Sequence, residues 1–188
     1  MTTKAGANEN VIDLLKEQHT QIKQLFADVL HSTGETKRDL FYDLVRLLAV
    51  HESAEEQVVH PMARRNIADG EPIVGARLKE EEKAKRVLAD LYDLGVDHPE
   101  FDNRLRELAD DVVAHANAEE SQEFAQLGTT LSADDLVRMA GAVRAAEAAA
   151  PTRPHPMAGE SATANMIGGP PLAVFDRVRD AMRKWSQS

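Results

Sequence analysis

The sequence predicts an all-α protein: an up-down-up-down four-helix bundle with a C-terminal helical extension. Two observations carry this. Apolar residues recur in steps of three and four through the first two thirds of the chain, the spacing of a helix with one buried face. No segment alternates every second residue, as a half-buried strand does. Short breaks rich in Gly, Pro and Asp separate the stripes, and short connections make successive helices antiparallel neighbours.

The first stripe is Ile12, Leu15, His19, Ile22, Phe26 and Val29, ended by the run from His31 to Thr36 that contains Gly34. The second is Leu40, Leu44, Leu47, His51, Glu55, Val58 and Met62, closed by Asp69-Gly70-Glu71-Pro72. The third is Val74, Leu78, Glu81, Ala84, Leu88 and Leu91, followed by Gly95 and the Asp97-His98-Pro99 turn. The fourth is Leu105, Leu108, Val112, His115 and Glu119, then Phe124 or Leu127, with Gly128 as its stop. Ser132-Ala133-Asp134-Asp135 then reads as a helix start. An Ala-rich fifth helix is expected to run to about residue 150. Residues 151–171 read as a Pro/Gly-rich linker. A short terminal helix is expected near 172–186, where Val174, Val178 and Met182 suit docking on the bundle or on another subunit. The bundle is thus assigned to residues 1–128 and the extension to 129–188.

Composition narrows the function. The 188 residues are 43% hydrophobic, enough for a core of ordinary size. The formal net charge is −10, which disfavours nucleic-acid and anionic-membrane partners because both need a basic surface. There is no cysteine, so disulfides, thiolate metal sites and Cys nucleophiles are excluded together. No secretory leader or membrane-spanning run is legible. The expected location is cytoplasmic.

Charged groups at the centre of apolar stripes are costly unless something pairs with them. His51 and Glu55 lie one turn apart, about 40° around the helix axis, and His115 and Glu119 repeat that step. His19 and Glu81 sit at mid-stripe on the other two helices. The six candidates are therefore His19, His51, Glu55, Glu81, His115 and Glu119. Imidazole with carboxylate suits iron, manganese or zinc. Six donors exceed the three that a catalytic zinc takes, whereas two bridged metals use six. By phase, Glu80 and Glu82 flank Glu81 and should be solvated. Glu56 and Glu120 should point away from the seam, and His31 and His60 should lie at the surface.

The segments EQHTQIKQLF, HESAEEQVVHP and HANAEESQEF resemble the first, second and fourth helices of the hemerythrin-like, or HHE cation-binding, family. The resemblance covers residues 10–127. It implies a non-haem di-iron centre held by His19, His51/Glu55 and His115/Glu119, with oxo or hydroxo and carboxylate bridges. The third helix departs from the pattern. Family members usually carry histidine there, and this chain has KEEEKAKRVLADL, in which phase selects Glu81. A carboxylate in place of neutral imidazole adds negative charge, favours the ferric state and lowers the potential. The expected chemistry is therefore reaction with O₂, H₂O₂ or NO, as redox or peroxide-decomposing (catalase-like) activity rather than oxygen carriage. The alternative is an iron- or oxygen-sensing module that signals to a protein partner, or self-associates, through the C-terminal segment.

Overall fold

A computed structural model describes residues 9–149. The linker and terminal helix expected after residue 150 lie outside the described residues. The helices are α1 (Val11–His31), α2 (Gly34–Ala54), α3 (His60–Asn66), α4 (Gly70–Leu94), α5 (Phe101–Ala118), α6 (Ala125–Thr130) and α7 (Ala133–Ala149). Two π-helical turns join them, π1 (Glu55–Val59) between α2 and α3 and π2 (Glu119–Phe124) between α5 and α6. The chain therefore makes five rods: α1, α2–π1–α3, α4, α5–π2–α6 and α7. No strand occurs among the described residues. None of their helices is long and apolar enough to cross a membrane.

Local chemistry sets the ends. The Asn10 side chain accepts from the Asp13 amide at the start of α1, and Ser132 Oγ accepts from the Asp135 amide at the start of α7. Gly95 ends α4 with φ of +81°, a conformation that costs glycine no Cβ clash. At the other end of α4, Gly70 brings backbone against backbone. A Cβ there would stand 2.6 Å from the Ala63 carbonyl oxygen.

The core falls into two apolar clusters. One gathers Leu15, Val58, Val59, Phe124 and Leu127 with Met139 and Val143 of α7. The other gathers Ile22, Phe26, Phe41, Leu44, Leu91, Phe101 and Leu105. Polar side chains lie between them, since α1 passes from Leu15 in the first cluster through His19 to Ile22 in the second. The two clusters seal that layer from above and below.

Candidate metal centre

Each rod of the four-rod bundle sends donors into this layer. Nitrogen and oxygen atoms of His19, His51, Glu55 and Glu119 lie within 4.8 Å of one another. A second set, Glu55, Glu81, His115 and Glu119, meets the same limit. Donors on opposite sides of a metal with bonds of about 2.1 Å stand roughly 4.2 Å apart, so both sets have the span of a coordination sphere. All six sequence candidates are thus brought together, and Glu55 and Glu119 belong to both sets.

The inward-facing nitrogens have no hydrogen-bond donors of their own to meet. His19 Nε2 is 3.4 Å from Glu119, His51 Nε2 is 3.3 Å from Glu55, and His115 Nε2 is 3.3 Å from Glu119. The buried atoms left without hydrogen bonds include His19 Nε2, His115 Nε2, both oxygens of Glu55 and of Glu119, and one oxygen of Glu81. Leaving such groups buried and unpaired is expensive. Cations between them would satisfy these atoms, so the residues present fit metal binding.

The protonation balance shows the same strain. Burial, reinforced by the neighbouring carboxylates of Glu119 and Glu81, pushes the Glu55 carboxyl well above its ordinary range. Burial beside the His19 ring lowers His51 to about 3, which keeps it neutral. Burial opposes charge on Glu119, yet His115 and His19 together hold its carboxyl below the usual range. His115 is disfavoured as a cation by burial, but Glu119 and Glu80 raise it to about 9.

Behind the donors, a ring of supporting contacts runs from rod to rod. His51 Nδ1 donates to Gln18 Oε1 of α1 at 2.7 Å. Glu81 meets His60 of α3, whose Nε2 stands 2.7 Å from Glu81 Oε1. His115 Nδ1 donates to Glu80 of α4 at 2.9 Å. His19 Nδ1 donates to Glu120 of π2 at 2.9 Å. Each rod therefore backs a donor on the next one around the bundle. Such contacts fix the ring tautomer and aim the free nitrogen inward.

These partners correct several sequence expectations. His60 is not at the surface: it is 2% exposed, and its Nδ1 donates to buried Glu123 at 3.0 Å. Burial alone would lower its pKa, but Glu123 and Glu81 raise it to about 10. The cause of the error is π1. A π turn holds one more residue than an α turn, so a residue five after Glu55 returns to the seam. The sequence carried a signal, since Phe124 follows Glu119 by the same step of five. Glu80 and Glu120 do leave the seam, but each turns toward the neighbouring rod rather than simply into solvent. Gln18, adjacent to His19, does the same. The expectation for Glu56 is met in direction: it is exposed and pairs with the Lys85 ammonium, which also stands 3.5 Å from Glu81.

A cavity of about 190 Å³ reaches the layer, lined by His19, His51, His115 and Glu81 together with Ile22, Leu48, Ala84 and Val112. On the far side of His51, the Gln18 side chain donates to Glu147 of α7.

Comparison with known proteins gives three likenesses. The hemerythrin HHE cation-binding domain matches residues 10–127. A protein from Nostoc sp. described as a DNA nickase is 30% identical over 139 residues, which is 73% of this chain and 39% of that protein. The chain therefore spans about two fifths of that relative's length. The crystal structure of a hemerythrin HHE cation-binding domain-containing protein from Mycobacterium kansasii aligns with a TM-score of 0.66. It covers 74% of this chain and 86% of that one at 19% identity, a likeness of fold.

Proposed function

Because the chain belongs to the hemerythrin HHE cation-binding family, we propose that its central layer holds two iron ions and reacts with O₂, H₂O₂ or NO. The observation that carries this reading is the overlap of two donor sets through Glu55 and Glu119. Shared carboxylates suit a pair of bridged metals better than one isolated ion. His19 and His51 would complete one position, and Glu81 and His115 the other. Iron bound there supplies electrons to a small oxidant, and the protein sets its geometry and access.

The chain's own residues define the rest. The cavity brings a small molecule to the open side of the histidines, between apolar walls and the exposed Lys83–Asp111 pair. Two apolar clusters exclude water above and below. Glu81 would supply a carboxylate in place of the imidazole that the family resemblance leads one to expect, which favours the higher oxidation state and decomposition of peroxide over reversible binding of O₂. Activity on DNA is not carried over from the Nostoc relative, since a formal charge of −10 offers no general attraction to phosphate. A sensing role is the second reading. It is favoured by α7, which packs into the core and touches Gln18 behind His51.

Anaerobic loading with ferrous iron, followed by metal analysis and addition of peroxide, tests the proposal. Two irons per chain and oxygen evolution are expected. One iron or none would overturn the dinuclear reading. Two irons with reversible O₂ binding and no peroxide turnover would overturn the redox reading.

A further inference from the structure

We propose that Glu147, on α7 and beyond the residues matched by the family, is a positioning residue that fixes the polarity of Gln18 and so the tautomer of His51. The proposal rests on the metal-centre reading and adds a member that the four-rod bundle does not supply. The argument is one of forced donors and acceptors. An ionised carboxylate only accepts hydrogen bonds. Burial raises the Glu147 carboxyl, and the Gln18 NH₂ and the Arg144 charge oppose that rise; the Gln18 group that faces the carboxylate is its NH₂. The amide's other end, Oε1, is then left to face His51 Nδ1 at 2.7 Å. A carbonyl oxygen only accepts, so Nδ1 carries the hydrogen. Neutral imidazole has one N–H, which leaves the Nε2 lone pair pointing into the metal layer.

His51 needs this help and the other two histidines do not. His19 and His115 are backed by Glu120 and Glu80, which only accept and therefore set the tautomer unaided. Gln18 is the one amide in the supporting ring. Reversed end for end, it would present NH₂ to Nδ1 and drive the hydrogen to Nε2, where it blocks coordination. Gln18 is 8% exposed, so water is poorly placed to hold it in either sense. Glu147 decides the matter from α7, which Arg144 also ties to Glu9 at the start of the described chain.

Charge-swap variants test this. Glu147→Lys places donors where the acceptor stood and should reverse the Gln18 amide. Adding Gln18→Glu to Glu147→Lys should restore the original sense, because Glu at 18 accepts from His51 and pairs with Lys at 147. Glu147→Gln offers a donor as well as an acceptor, so it should loosen the Gln18 amide without reversing it and fall between wild type and Glu147→Lys. The readouts are nitrogen NMR of labelled histidine in the metal-free chain, and zinc affinity. Wild type should show His51 protonated at Nδ1. Glu147→Lys should shift it toward Nε2–H and weaken one zinc position by about 10–100-fold. The double variant should recover both. An unchanged tautomer in Glu147→Lys, or no recovery in the double variant, overturns the proposal. If the wild type takes up no zinc or iron, the metal reading fails, while the tautomer measurement still decides the role of Glu147.

Discussion

At the scale of single residues, Glu81 and His60 act as a pair across two rods. In the proposed centre Glu81 would offer an oxygen to the second metal position. His60, from the neighbouring rod, donates to its other oxygen and is anchored by Glu123 on the far side. A buried imidazole between two carboxylates returns some positive charge to a site crowded with anions. The two residues should therefore fail differently. Glu81→Ala removes a donor, and zinc titration should show one ion per chain in place of two. His60→Ala leaves the donor set intact but frees Glu81 to rotate and leaves Glu123 unpaired. Two zinc ions should still bind, with affinity at the second position lowered by about 10–100-fold. Equal losses in the two variants would refute this division of labour.

At the scale of elements, the seam was legible because each donor interrupts an apolar stripe of helical period. His19, His51, Glu55, Glu81, His115 and Glu119 all fall on the faces that the 3.6-residue repeat buries. The supporting ring was not legible from that repeat. Gln18, Glu80 and Glu120 lie about 100° off the seam, where phase alone cannot separate water from the next helix. His60 was lost to the π turn, which adds a residue without altering composition. Both π turns begin at a glutamate of the shared pair, Glu55 and Glu119, and π turns recur at functional sites. The α3–α4 corner is a second feature that composition hides. Gly70 there has no room for a methyl group: its Cβ would meet Ala63 and Arg64 backbone atoms at 2.6–2.9 Å. Gly70→Ala should destabilise by about 1–3 kcal/mol, a fall in melting temperature of roughly 2–12 °C for a chain of this size. Gly75→Ala, in open space on the same helix, should raise stability slightly or leave it unchanged. Calorimetry of the pair compares them directly.

At the scale of the whole molecule, the bundle holds a charged layer between two apolar cores, and metal decides what that layer costs. Without metal, His115 and His60 are held as cations, with pKa values raised from 6.5 to about 9 and about 10. A histidine raised on folding contributes stability that is complete below its unfolded pKa and is lost as pH rises through the folded value. The metal-free chain should therefore lose stability from pH 6.5 toward 10. Glu52, raised by burial from 4.5 to about 8, gives a slope of the same sign between those two values and so adds to the loss up to about pH 8. Below pH 6.5 the sign reverses for His51, whose pKa falls from 6.5 to about 3, so its contribution is lost with acid. In the proposed centre His115 Nε2 would give up its proton to hold a metal ion among the carboxylates. The His115 part of the alkaline slope then vanishes, while that of His60 remains. Melting temperatures at pH 6.5 and 9.5, with chelator or with zinc, should therefore diverge, the advantage of metal being larger at the higher pH. Zinc held at a thousand times its dissociation constant should add about 4 kcal/mol for each position filled. Parallel curves in the two conditions would show that His115 does not exchange a proton for metal, and would remove it from the second position.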